Sequence, residues 1–394
     1  MRFDKNGFPW KEKCLKDFCV INPRTEDLDE EFVYIDLESV SKGLLLSENI
    51  ISKVGAPSRA QRVLKDNDIL FQCVRPYQMN NLFCRGLKKD FQYVASTGYA
   101  QIRTNEFPPF VYHLLHSPSF NKNVMLRCTG SSYPAIASSD LEDIETFICD
   151  KEEQQKIGLF LDAIDHRITV QNKIISKYES LIKGLKTQLF KQVLRFNSQQ
   201  SKPFLPWKTQ QLGEILFISN EKNGSKYSKE QVLSVSDEYG VINQIKFQGK
   251  SFVGQDISNY KIVKTDQIIY TRSPLAAKPF GIIKIVGEET GIVSPLYIVN
   301  TVNNENNALF IFYLFDSPES TNNYLKPLVR VGAKHTMNIS NEEWLSGTVT
   351  VPCLEEQNII ADCLKSIDKR ISFEKNFLNK LKEQKNYLLS KMFI

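Results

Sequence analysis

Nowhere in its 394 residues does the sequence contain an apolar run approaching the ~20 residues that a membrane-spanning helix needs. Its opening, MRFDKNGFPWKEK, lacks the apolar core of a secretory signal, so the expectation is a cytoplasmic protein with no membrane partner. Among its eight cysteines no two form a C-x-x-C pair. In a reducing compartment they read as free thiols, and zinc is not expected. His113 and His116 do stand near Cys128, but a tetrahedral site needs about four ligands at recognisable spacing. Two histidines flanking an apolar segment is the preferred reading. There is also no P-loop and no Gly-rich nucleotide turn. An adenine methyltransferase would need an Asn/Asp-Pro-Pro-aromatic loop. NEFPPF, Asn105–Phe110, places Phe107 before the prolines, where a phenyl ring cannot accept a hydrogen bond from the base. Lys65, Asp66 and Asp68 offer only an acid pair at a strand end, short of a nuclease's carboxylate cluster. Self-contained catalysis is therefore not expected, nor is a metal or cofactor bound by this chain.

What is present is an ordinary globular composition, 42% hydrophobic and 24% charged, which excludes wholesale disorder. The net charge of +5 is compatible with a polyanionic partner without demonstrating one. The dominant feature is a repeat. EEQQKIGLFLDAIDHRI, Glu152–Ile168, returns roughly 200 residues later as EEQNIIADCLKSIDKRI, Glu355–Ile371. Other matches keep the same order and spacing. Trp10, Leu15 and Asp17 answer Trp207, Leu212 and Glu214. NDILF, Asn67–Phe71, answers DQIIY, Asp266–Tyr270, and FVYHLLHSP answers FIFYLFDSP. The polar loop GSSYPAI answers GAKHTMNIS. A tandem duplication follows, with a globular domain at 1–149, a spacer helix at 150–196, a linker at 197–204, a second globular domain at 205–350 and a second spacer helix at 351–394.

In the first spacer segment, Ile157, Leu161, Ile164, Ile168, Ile175, Tyr178, Ile182, Leu185 and Leu189 recur at alternating steps of four and three, with Gln171 in the one gap. The second gives Ile360, Leu364, Ile367, Ile371, Leu378, Leu381, Leu388 and Met392, with Glu374 and Lys385 as polar seam positions. These are heptad seams. About 40 helical residues make a rod near 60 Å long, which exceeds any core that a domain of ~150 residues could supply. The seams must then pack on one another, most simply antiparallel. Runs such as FVYIDL, NDILFQCV, QIIYT, GIIKIVG and PLYIVN read as strands, whereas FVYHLLHS and FIFYLFDS fit either helix or strand. The expected fold class is α+β: two similar globular domains separated by a long antiparallel two-helix coiled coil, a pseudo-two-fold tandem repeat.

Two like heads at fixed separation suit a bipartite target, and DNA, whose grooves repeat every ~34 Å, offers one. Candidate contacts lie in loops. In the first head they are Arg75, Tyr77, Gln78, Arg127, Ser131 and Ser132. In the second they are Arg272, Ser273, Lys278, Lys334, His335 and Asn338. Arg and Gln can read base edges, while Lys, Ser and backbone amides hold phosphate. Solvated loops also carry such residues without any nucleic acid, and a non-catalytic scaffold with two protein-binding heads remains the alternative.

The PW…L…D/E opening, the NDILF-type strand, the lead-ins ICDKEEQ and VPCLEEQ, and the IDHRI and IDKRI segments at the head of long Leu/Lys-rich helices carry a resemblance. Over essentially its full length the chain resembles the DNA-specificity subunit of type I restriction–modification enzymes. It departs from the pattern in its first lead-in, which lacks the proline and has Asp150 and Lys151 where the second has Cys353 and Leu354. The resemblance implies that each head is a target-recognition domain reading half of a split double-stranded DNA sequence. It implies helices that space the half-sites and dock two methylation subunits and, through them, restriction subunits, with S-adenosylmethionine and ATP/Mg bound by those partners. It assigns Glu153, Gln154, Asp165, Arg167, Glu356, Gln357, Asp368 and Arg370 to docking and spacing.

Overall fold

The computed structural model describes residues 10–198, 200, 202–250, 253–275, 278–331 and 337–393. The chain divides into two compact units, one running to Ile175 and resuming at Phe373, the other Ser176–Ser372. Two long helices, Lys151–Phe190 and Leu354–Met392, contribute a part to each unit.

In the first unit, strand Lys11–Cys14 pairs antiparallel with Glu145–Ile148, Lys11 facing Ile148. This ribbon closes the globular part on itself just before the long helix begins. Between its two strands lie two four-stranded sheets. The inner one runs in the order Cys19–Ile21, Tyr99–Thr104, Ile69–Gln72, Leu82–Phe83. All four residues of Ile69–Gln72 are buried, as expected of a strand covered on both faces. The outer sheet runs Asn49–Ser52, Glu31–Ile35, Gln92–Ser96, Ala60–Val63, with Glu31–Ile35 parallel to Gln92–Ser96.

The ambiguous FVYHLLHS is helical. Pro108 and Pro109 open the helix Pro108–Leu114, where their missing N–H groups go unmissed. Ser117 then caps Pro118–Arg127 by accepting the Phe120 amide hydrogen. The inner-sheet core gathers Leu15, Phe71, Phe110, Phe120, Ile157, Leu161 and Ile164, together with Leu388, Met392 and Phe393 from the last turns of the chain.

The second unit repeats this plan. Lys208–Gln211 pairs with Thr348–Val351, Lys208 facing Val351. Its four-stranded sheet runs Leu216–Ile218, Ile298–Val302, Ile268–Tyr270, Ile283–Ile285, the same order of equivalent strands as the inner sheet of the first unit. The FIFYLF part of FIFYLFDS is likewise helical, within Ala308–Phe315, with Asn307 capping through the Phe310 amide. The units differ outside this frame. Where the first has its outer sheet, the second has two antiparallel ribbons, Leu233–Ser236 with Gly240–Asn243 and Lys261–Val263 with Gly291–Val293.

Within each unit the two long helices run antiparallel. In the first, Lys385 Nζ donates to Asp165 and Gln171 donates to Glu374, so that partners rise along one helix as they fall along the other. In the second, Tyr178 lies under Arg370, and Arg195, just beyond the helix, pairs with Glu356. Seam residues Ile157, Leu161, Ile164, Ile175, Leu378, Leu381 and Leu388 are buried in the first unit, and Ile182, Leu189, Ile360, Leu364 and Ile371 in the second. Burying each such side chain is worth about 1.5–3 kcal/mol before entropy is charged against it. The first long helix closes at Phe190, short of the expected residue 196. The Gln188 carbonyl accepts from both Val193 and Leu194, and Gln192 turns left-handed at φ 57°, which ends the helical path.

Candidate nucleic-acid interface

The inner strand Ile69–Gln72 delivers the chain into a tight turn. Arg75 takes a left-handed backbone, φ 55° and ψ 55°, before the short turn Pro76–Gln78. Such a conformation in a residue with a β-carbon costs of order 1–3 kcal/mol and persists only when the surroundings enforce it. Here the Arg75 amide donates to Pro134 O at 2.7 Å, and the Gln78 amide donates back to Arg75 O at 3.0 Å. Buried Gln72 braces the same turn. Its side chain accepts from the Asn80 amide at 3.1 Å and donates to Gln78 Oε1 at 2.9 Å. Bridges Val74–Ala135 and Thr129–Ala135 bring the GSSYPAI loop alongside. Two stretches far apart in sequence, Arg75–Gln78 and Arg127–Ser132, thus become neighbours.

Within this cluster the side chains differ in availability. The Arg75 guanidinium lies over the Tyr133 ring, 4.4 Å from its centre. Tyr77 and Tyr133 are 54% and 63% exposed, and Gln78, Ser131 and Ser132 are also exposed. Arg127 turns back on its own helix and donates to Asn123 O at 3.3 Å. Tyr133 was absent from the sequence-based candidates. The signal for it was an aromatic inside a Gly-Ser-Ser-Pro loop, which only the fold places under an arginine.

In the second unit Arg272 also has a left-handed backbone, φ 57°, just past the strand Ile268–Tyr270. Its side chain turns inward: Nη2 donates to Asn341 at 2.7 Å, and buried Nε has no hydrogen-bond partner among the described residues. Burial holds its pKa below the ordinary arginine value. Ser273 is exposed. Lys278 is corrected from a solvated loop cation to a buried one. Its side chain is 5% exposed and its Nζ lies 2.7 Å from Asp237, which Lys284 shares at 3.3 Å. Lys334 and His335 lie outside the described residues. Asn338 belongs to a two-residue strand opposite Arg330.

The repeated EEQ motif builds a joint between globular part and helix in each unit. Gln154 accepts from the Phe107 amide at 3.1 Å and donates to Glu106 at 3.1 Å and Cys149 O at 2.9 Å. Gln357 makes the same three bonds, to the Asn307 amide at 2.9 Å, Asn306 at 2.8 Å and Pro352 O at 2.9 Å. Glu153 accepts from Trp10 Nε1 at 3.2 Å. Its counterpart Glu356 instead holds Arg195 through two nitrogens, at 3.1 and 2.7 Å, leaving Trp207 Nε1 buried without a hydrogen-bond partner among the described residues. Glu153, Gln154, Glu356 and Gln357 are all buried and hold the joint from inside. Asp165 meets Lys385, and Asp368 accepts from the Tyr313 hydroxyl. Arg167 and Arg370 are exposed, their guanidinium groups over Phe377 and Tyr178.

The other candidate chemistry disperses. His113 is buried with Nε2 2.9 Å from Asp162, and His116 Nδ1 donates to Tyr112 O at 2.7 Å. Asp68 is held by both sides of the Arg103 fork, Lys65 pairs with Glu26, and Asp66 accepts from the Gly86 amide. Among the described residues no helix is long and apolar enough to cross a membrane.

Residues 9–180 and 205–383 each match the Type I restriction modification DNA specificity domain. The HindI specificity subunit of Haemophilus influenzae is 27% identical over 184 residues, 45% of this chain and 39% of that protein. The match thus spans well under half of that relative. The MjaVIII specificity subunit of Methanocaldococcus jannaschii is 24% identical over 292 residues, covering 71% of this chain and 67% of the relative. Among solved structures, the type I restriction-modification system S subunit from M. genitalium superposes with a TM-score of 0.59 at 15% identity, covering 100% of this chain and 98% of that one. A chain solved in a study of complex assembly and conformational transition of the type I R-M system gives 0.56 at 19% identity, covering 97% of each. At these identities the two likenesses speak for the fold.

Proposed function

Because the chain belongs to the Type I restriction modification DNA specificity family, whose domain it carries twice, we propose that it is the non-catalytic DNA-recognition subunit of a type I restriction–modification complex. Each globular domain, 1–149 and 205–350, reads one half of a bipartite duplex target. The long helices of the spacer segments 150–196 and 351–394 form the antiparallel two-helix coiled coil that separates the domains, sets the spacing of the half-sites and docks two methylation subunits. Restriction subunits join through those. S-adenosylmethionine and ATP with Mg²⁺ are bound by the partner subunits, and the complex works in the cytoplasm.

The observation that carries this reading is the doubling: two copies of one DNA-specificity domain, each with an arginine-bearing turn just past its inner strand. The test is to purify the chain with its partner subunits and map the methylation they install. The expected result is a split motif modified in both halves, with duplex binding that weakens steeply as salt rises. Replacing residues 1–149 with the corresponding domain of a relative should change one half of the motif only. Duplex binding that is absent, or a motif altered in both halves by the exchange, counts against the reading.

A further inference from the structure

We propose that Arg75, held over the Tyr133 ring, reads a guanine in the half-site of the first globular domain. This rests on the DNA-reading role argued above and assigns a base to one residue of it.

Three independent observations point to Arg75. The first is its backbone, left-handed at a position where glycine would sit without strain. The turn is fastened at both its N–H and its C=O, so the side chain leaves from a fixed base. The second is charge. No ion pair among the described residues engages Arg75, whereas Arg85, Arg103 and Arg195 each have a carboxylate partner. Arg75 is thus an arginine without a counter-charge. The third is its platform. The guanidinium carbon lies 4.4 Å from the centre of the Tyr133 ring, and an aromatic face so placed restrains an arginine while its N–H groups stay able to donate. With exposed Tyr77 on the same turn, the result is an aromatic-flanked, bidentate donor.

The matching acceptor is planar with two oxygens or nitrogens side by side. In duplex DNA the O6 and N7 edge of guanine in the major groove is that acceptor, and arginine its commonest reader. A phosphate would be served as well by a lysine on a flexible stem, with no need for an aromatic platform. The second domain does not present the same fork, since Arg272 already donates to Asn341.

The experiment uses the full chain with its partner methylation subunits. Methylation rates are measured on duplexes in which each position of the half-site assigned to the first domain carries each of the four bases. The wild-type complex should prefer guanine, on one strand or the other, at one position by on the order of 5- to 150-fold. Arg75→Lys and Arg75→Gly should flatten that position and leave the remaining positions and the other half-site intact. The glycine variant relieves the backbone strain, so loss of folding does not confound it. Tyr133→Ala should reproduce part of the loss and Tyr133→Phe none of it. An unchanged guanine preference in Arg75→Gly overturns the assignment. So does a uniform loss on all sequences with a shallower salt dependence, which marks a phosphate contact. A wild-type complex with no base preference anywhere overturns the DNA-reading role itself, and this assignment with it.

Discussion

Gln171 donates its side-chain amide to Glu374, the residue that stands in its own place in the second copy of the repeat, 203 positions further on. The same amide also reaches Glu374 O at 3.2 Å. Both residues are buried among the apolar seam positions. Two equal helices laid antiparallel bring equivalent positions together at one register only, so this polar pair selects that register, as single buried polar residues do in coiled coils. A buried carboxylate beside an amide is satisfied, whereas two carboxylates there would repel. Gln171→Glu should therefore cost on the order of 3 kcal/mol at pH 7, with the loss shrinking as acid protonates one of the pair. Adding Glu374→Gln to that variant exchanges the two groups and should restore stability to within about 1 kcal/mol. Urea titrations at two pH values check this. Simple additivity of the two single effects would show that the pair is not coupled.

The histidines beneath this helix pair predict an acid limb to stability. Burial, reinforced by the charge of Lys385, pushes His116 down to about 4. Burial likewise lowers His113, against the opposing hydrogen bond it donates to Asp162. The unfolded chain titrates its histidines near 6.5, so between about 6.5 and 4 it binds protons that the folded state refuses. Stability is then fully present above about pH 6.5 and falls as the pH drops through that window. His116→Gln removes one of the two contributions and should make the decline measurably shallower. Denaturant unfolding at pH 7, 5.5 and 4.5 measures the slope, and an unchanged slope would locate the effect elsewhere.

The repeated glutamine of each helix opening should behave as a structural clamp in both units. Gln154→Ala leaves the Phe107 amide without its acceptor and strips partners from Glu106 and Cys149 O. Gln357→Ala does the same to Asn307, Asn306 and Pro352. Unsatisfied buried groups cost about 1–3 kcal/mol each, so each variant should lose about 2–4 kcal/mol once partial solvation is allowed. Met at either position matches the size but not the bonds, and should do no better than Ala. Melting temperatures of the paired variants make the comparison, and a fully stable Gln154→Met would refute the clamp.

How far these features were legible beforehand depended on their range along the chain. The long helices were readable because a heptad seam persists over many turns, and the strands because β-branched runs lie between turn residues. The runs around His113 and Tyr313 were undecidable from periodicity. Their helical state is set by Pro108, Pro109 and the Asn307 cap, which act just outside the apolar stretch. The EEQ motif was visible as a repetition but not as a clamp, because Phe107 and Asn307 lie 47 and 50 residues away from their glutamines. Lys278 passed for a solvated cation because its partner Asp237 is 41 residues distant and in no motif with it. Arg75 was found, but its platform Tyr133 was not, since the two loops are joined by tertiary contacts, the Val74–Ala135 bridge and the Arg75 amide to Pro134 O, between residues some 60 positions apart.

At one position the two long helices differ by a single methyl group, and that difference is testable. Gly158 in the first long helix corresponds to Ala361 in the second, and Ala361 is buried. A β-carbon at Gly158 would come within 2.9 Å of the Phe110 amide nitrogen and of the Phe107 ring. In an open helix interior, Gly→Ala gains about 1 kcal/mol. Here the gain is opposed by overpacking against backbone that cannot retreat, because Gln154 already holds the Phe107 amide. Gly158→Ala should therefore destabilise, by about 1–3 kcal/mol net. Ala361→Gly should also destabilise, by about 1 kcal/mol or more, since it loses both helix propensity and a buried methyl. Opposite substitutions at equivalent positions are thus expected to act in the same direction, which propensity alone cannot produce. Adding Phe107→Ala to Gly158→Ala relieves the ring contact but leaves the Phe110 nitrogen in place, so it should not restore stability. A Gly158→Ala variant that melts higher than wild type would mean that the helix can step away from Phe110 after all.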